Sequence, residues 1–80
     1  MQRLDYAALR KSCRIPILTV YNSPKDFPGR FVIRLFDVDQ PTMLHFVADT
    51  LEGVRAVVPL EMLRLARHPD DDPCIVETYV

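Results

Sequence analysis

The clearest alternation in the chain runs through RFVIRLFD, residues 30–37. Phe31, Ile33 and Leu35 fall on one side, and Val32, Arg34 and Phe36 on the other. A period of two makes such a segment a strand with two distinct faces. Residues 15–21, IPILTVY, are mostly β-branched or aromatic and read as an earlier strand. Pro16 has no N–H to give to a ladder, so it belongs at that strand's first residues or on an edge. Residues 42–48, TMLHFVA, read as a third strand, with Leu44 and Phe46 on one face and Met43, His45 and Val47 on the other. The four residues between them, VDQP, suit a turn, with Asp39 as a turn former and Pro41 barring a helix. Residues 74–80, CIVETYV, close the chain as a strand. Cys74, Val76, Thr78 and Val80 share one face of it, and Ile75, Glu77 and Tyr79 the other.

Two segments carry helical spacing instead. In residues 4–12, Leu4, Ala8 and Lys11 form a thin stripe, with Asp5 near the start and Arg10 and Lys11 near the end, as the helix dipole favours. In residues 50–58, Asp49 or Thr50 supplies a cap, Glu52 lies in the first turn, and Leu51, Val54 and Val58 recur on one side. Gly53 costs that helix about 1 kcal/mol relative to Ala, a cost that close packing on a sheet would offset. Pro59 stops it. Residues 60–67 read as a helical turn leading into extended chain, and residues 68–73, HPDDDP, as a loop.

The stretch SPKDFPGR, residues 23–30, joins the first two strands. Ser23 and Pro24 suit the cap and first position of one helical turn. Phe27-Pro28-Gly29-Arg30 suits a type II turn, with glycine at the position that needs positive φ. A phosphate cradle would want more glycine and a following helix, so this loop reads first as a stiff connector.

The order is therefore α-β-β-β-α-β within one domain spanning 1–80. The fold class is α+β: a two-layer sandwich of an antiparallel β-meander plus C-terminal strand, with a helix packed on one face. The last strand is expected beside the first. The second helix would cover one sheet face. The other would show Val32, Phe36 and Val47 among Arg34 and His45, with Tyr79 joining them if its side of the last strand points that way. That is more apolar surface than a solvated face needs. Either the N-terminal helix or a partner, a second copy included, is expected to cover it.

Composition narrows the function classes. The 80 residues are 49% hydrophobic, enough for a packed core, and the net charge is −1. No apolar run reaches the length of a membrane span and no basic start leads into an apolar run, so a cytoplasmic setting is expected. Cys13 and Cys74 are too few for a disulfide framework and read as small, reduced hydrophobes; whether they are neighbours stays open. The charge is uneven. Residues 1–36 hold seven Lys or Arg against two Asp, net +5, and residues 37–80 hold three Arg against nine acids, net −6. Such halves attract each other within a domain. They also put Arg14, Lys25, Arg30 and Arg34 near Tyr21, Phe31 and Phe36, the residue types that bind nucleic acid.

Signals for catalysis are weak. Asp37 and Asp39, near His45, offer two carboxylates where a hard cation wants six or more oxygens. Asp70–Asp72 form a charged loop whose adjacent residues seldom converge. There is no CxxC spacing, no paired histidines in metal register, no Gly-rich phosphate loop and no GxSxG. Neither an enzyme nor a cofactor is expected.

Two resemblances add to this. The helix–β–β–β–helix order resembles that of the double-stranded RNA-binding domain, in element order only. That family carries a basic cluster at the start of its second helix, where this chain reads DTLEG with Asp49 and Glu52. The combination of YNSPKDFPGRFVIRLFD, LEGVRAVVP and DDPCIVETYV resembles small bacterial proteins of unassigned function, over residues 15–80. It implies a stand-alone domain and carries over no site residue. The expectation is a non-enzymatic protein-interaction or accessory module, acting on a protein partner or as a homodimer, with no membrane role. The candidate surface is Arg14, Lys25, Arg30, Arg34, Phe36, His45, Val47 and Tyr79. Nucleic-acid binding through the basic half is the alternative.

Overall fold

The strand-forming run 15–21 ends up at the centre of the sheet. In the computed structural model, which describes residues 2–80, β1 (Pro16–Asn22) pairs antiparallel with β2 (Phe31–Asp37) on one side and β5 (Ile75–Tyr79) on the other. Outside them lie β3 (Gln40–Ala48), antiparallel to β2, and β4 (Arg64–Ala66), antiparallel to β5. The order across the five strands is β3-β2-β1-β5-β4. The two helices are α1 (Tyr6–Ser12) and α2 (Leu51–Arg55). The chain is α+β, as the patterning predicts, and the last strand lies beside the first.

Register fixes the faces. Leu18 pairs with Leu35 and Tyr79, and Val20 with Ile33 and Glu77. These side chains point to the helices. There Leu18, Val20, Ile33, Leu35 and Tyr79 pack with Leu9 of α1, Val54 of α2, and Val57, Val58 and Met62 after it. Both helices therefore cover the same face. The backbone N–H of Leu4 donates to Val57 O at 2.8 Å, tying the start of the chain to the segment after α2. The N-terminal helix does not cover the opposite face.

Each helix sits where its cap and buried positions require. Asp5 caps α1 by accepting from the Ala7 N–H. The buried stripe of α1 is Leu9, followed one turn on by Cys13. Ala8 and Lys11, which the sequence places on the apolar side, are exposed. Thr50 caps α2 by accepting from the Gly53 N–H at 3.0 Å. A Cβ on Gly53 would lie 2.8 Å from Ala48 Cβ, so this glycine is what lets α2 press against β3. The chain leaves α2 earlier than Pro59, continuing in turns through residue 58.

Two segments differ from expectation, and a third goes further than expected. Residues 60–67 give a turn closed by Met62 N–H to Pro59 O, and then a true strand, β4, as the extended chain finds β5. Pro41 falls inside β3 opposite Phe36, which an edge strand tolerates because its outer N–H has no partner to lose. Ser23 is not a helix cap. It adopts φ +52°, its N–H donates to Arg30 O, and its Oγ accepts from the Gly29 N–H at 2.8 Å. The Phe27–Arg30 turn forms as predicted, with Gly29 at φ +76° and Arg30 N–H donating to Phe27 O.

Candidate interaction surface

Strand pairing sorts the helix-free face into rows that cross the sheet. Ile17 lies opposite Phe36, and Phe36 opposite Pro41. On the other side, the ladder that pairs Leu18 with Tyr79 continues to Val80, which exchanges both backbone hydrogen bonds with Leu63 at 2.7 and 2.9 Å. One row is therefore Leu63, Val80, Ile17, Phe36 and Pro41, apolar from edge to edge. Leu63 is 66% exposed and Val80 41%, and Ile17 and Phe36 are half-buried.

The next row is polar at its centre: Leu65, Thr78, Thr19, Arg34 and His45. The third includes Tyr21, Val32 and Val47. Here the 23–30 loop folds back over the sheet. Asp26 bonds Arg34, the Phe27 ring lies 5.7 Å from the His45 ring, and Val32 is 0% exposed. The loop and the apolar row thus divide the helix-free face between them, and Arg34 and His45 form the border. The stiff connector is also a cover.

Of the eight candidate residues, the structure brings Arg34, Phe36, His45 and Val47 together on this face. Tyr79 is not among them. It pairs with Leu18, points to the helices and is 7% exposed. The reason is the antiparallel register, which puts Glu77 and Tyr79 on the helix side and Thr78 on the other. Arg14 and Arg30 precede strands that run in opposite directions, so they mark opposite ends of the sheet. Lys25 sits in the folded loop. The basic residues do not converge, and two are engaged: Arg30 with Asp49 at 2.9 Å, and Arg34 with Asp26. Of the aromatics read with them, Phe31 faces the core on the helix side.

One polar constellation was not legible in the sequence. Glu77, 4% exposed, accepts two hydrogen bonds from Arg55, at 2.9 and 2.7 Å, and one from the Tyr79 hydroxyl. The Arg55 hydrogen bonds hold the Glu77 carboxyl below its ordinary value against the opposing effect of burial. Burial, then the bond to Glu77, pushes the Tyr79 hydroxyl up to about 12. The signal for this clamp was a lone carboxylate two residues before Tyr79; Ile75, expected on the same face, is shifted by a bulge to pair with Tyr21, and Val76 packs on the core instead. Both oxygens of Glu77 accept hydrogen bonds from within the fold, three in all, which makes it a clamp of β5 to α2.

Asp37 accepts from the backbone N–H groups of Arg14 and Ile15, fixing the entry to β1. Asp71 and Asp72 accept from the N–H groups of His68 and Cys74, shaping their own loop. No group of three or more metal-ligating side chains gathers among the described residues. Cys74 lies by the end of β1, where Asn22 N–H donates to Cys74 O, while Cys13 lies before its start. Seven residues of strand, about 23 Å, separate the two thiols. Burial, then the nearby Asp37 charge, pushes the Cys13 thiol up, away from the reactive form.

A groove of about 450 Å³ lies on the helix side between α1 and β3, lined by Leu4, Leu9, Cys13, Leu35 and Leu44 among others. Its polar groups, Asp5, Ser12 and Thr42, are bonded to backbone groups beside them. No helix of the described residues is long and apolar enough to cross a membrane. Compared with protein-family models, curated proteins and solved structures, the chain matches none.

Proposed function

We propose that this domain is a non-enzymatic protein-interaction module that binds its partner through the apolar row of the helix-free face. The observation that carries the reading is the row itself: Leu63, Val80, Ile17, Phe36 and Pro41 cross the sheet from edge to edge, and among the described residues both helices pack on the other face. Exposed apolar area that is contiguous and rimmed by polar groups is characteristic of contact surfaces. Arg34 and His45 supply that rim. The absence of convergent, unengaged polar groups in the α1–β3 groove favours binding over catalysis. A reducing, cytoplasmic setting suits the two free thiols.

Nucleic-acid binding is the less favoured reading because Arg14 and Arg30 lie at opposite ends of the sheet and Arg30 and Arg34 have acidic partners. Two measurements separate the readings. In fresh lysate of its own cells, the tagged chain should elute larger than a dimer, and the double variant Ile17→Ser, Phe36→Ser should return to the free volume while Glu52→Gln does not. Equal elution of both variants refutes the apolar row. Fluorescence anisotropy with random DNA and RNA should show no salt-dependent binding; a steep salt slope would install the alternative.

A further inference from the structure

The two edges of the sheet are built differently. β3 protects its outer edge. Pro41 removes a donor, and three residues, Thr42 to Leu44, bulge opposite Leu35 alone, with the Thr42 hydroxyl donating to Leu35 O at 2.8 Å. Bulges and prolines are how edges avoid pairing with other chains. β4 has neither. It is bordered instead by exposed leucines: Leu60 at 80%, Leu63 at 66% and Leu65 at 44%.

Hydrogen-bond parity says which groups β4 offers. Leu63 exchanges both bonds with Val80. Bonded and non-bonded pairs alternate along an antiparallel ladder, so Leu65 bonds Thr78, while Arg64 and Ala66 aim their N–H and C=O outward. We propose that this free edge pairs antiparallel with the same edge of a second copy, with Leu65 opposite its own symmetry mate.

The register follows from the residues. Centred on Leu65, it sets Arg64 of each copy opposite Ala66 of the other. Those are the residues with outward groups, so all four donors and acceptors on each side are used, giving four hydrogen bonds. Centred on Arg64, it would set two guanidinium groups opposite each other, which like-charge repulsion disfavours. Leu65 and its mate form the close, non-hydrogen-bonded pair, and Leu63 lies diagonal to it on the same face. A two-fold contact of this kind is self-complementary and closed. It joins two sheets into one of ten strands, with Leu65 and its mate lying between the two apolar rows, which this register offsets by four residues. Each exposed leucine brings on the order of 100 Å². With the edge backbone, two copies cover about 1,000 Å², the lower limit for a specific interface, so a weak, concentration-dependent dimer is expected.

The contact shares Leu63 and Val80 with the proposed partner surface but does not depend on it. A monomer that still bound a partner through Phe36 would remove the dimer alone. Sedimentation equilibrium over 1 µM to 1 mM should show a monomer–dimer transition that Leu65→Asp shifts at least tenfold to higher concentration. Amide exchange at Arg64 and Ala66 should slow as concentration rises, while Leu65, already bonded to Thr78, changes little. Leu65→Cys should form a 65–65 disulfide under mild oxidation, mapped by mass spectrometry, where Glu52→Cys does not. A monomer throughout overturns the proposal. So does a dimer whose Arg64 and Ala66 amides exchange freely and whose Cys-substituted position 65 fails to couple.

Discussion

Val38 and Gly29 both adopt positive φ in tight turns, at +59° and +76°, and they make opposite demands. Gly29 is the residue that such a turn prefers, and a Cβ there would meet nothing within 4 Å. Gly29→Ala should therefore cost about 1 kcal/mol through backbone conformation alone. Val38 is β-branched where a two-residue hairpin favours glycine, and it is 43% exposed, so little burial repays the strain. Val38→Gly should raise stability by about 1 kcal/mol, because its N–H can still donate to Ile15 O. Urea unfolding of both variants checks the pair: opposite shifts in midpoint are expected, and shifts of the same sign contradict the turn geometry. The Gly29 turn was legible because proline and glycine announce it. The Val38 turn was legible as a turn, but not as a strained one, because no local rule places valine there. The clamp of Asp37 onto residues 14 and 15 belongs to tertiary structure.

Among elements, β5 and α2 are held together by Glu77 and Arg55. Removing one partner of a buried pair leaves the other charge uncompensated. Arg55 is itself 37% open to solvent, so Arg55→Ala should cost about 2–3 kcal/mol, less than for a wholly buried pair. The pH dependence follows from the Glu77 carboxyl lying below its ordinary value of 4.5. A depressed carboxyl contributes stability that is present above the unfolded value and lost as pH falls through the folded one. The parent protein should lose stability on acidification below about pH 4.5, and Arg55→Ala should lose less over that range. Thermal melts from pH 7 to pH 3 measure both, and equal acid slopes would mean that the pair does not set the pH response. Element types came through from patterning because alternation and capping are local signals. The α1 stripe did not: Ala8 and Lys11 fit a helical period as well as Leu9 and Cys13, and only the sheet decides which side is buried. β4 was hidden because three residues are too few to show alternation before their partner strand is known.

One sheet divides the protein into a face packed by two helices, with a groove between α1 and β3, and a face split between a folded loop and an apolar row. The alternation of β2 already held this division, since Phe36 and Val32 share a side with Arg34. What it lacked was the cover: the loop reaches back over Val32 through contacts of Asp26 and Phe27 that join residues up to 18 apart. Within the basic half, antiparallel strands scatter Arg14 and Arg30 to opposite ends of the sheet, and Arg30 pairs with Asp49 of the acidic half. We propose that the apolar row is where this protein meets its partner. Photo-crosslinking in cells tests this with p-benzoylphenylalanine at position 36 on the row and at position 52 on α2. A discrete crosslinked species other than a dimer, from position 36 and absent from position 52, is the predicted result. Equal products from both positions, or none from position 36, would contradict it.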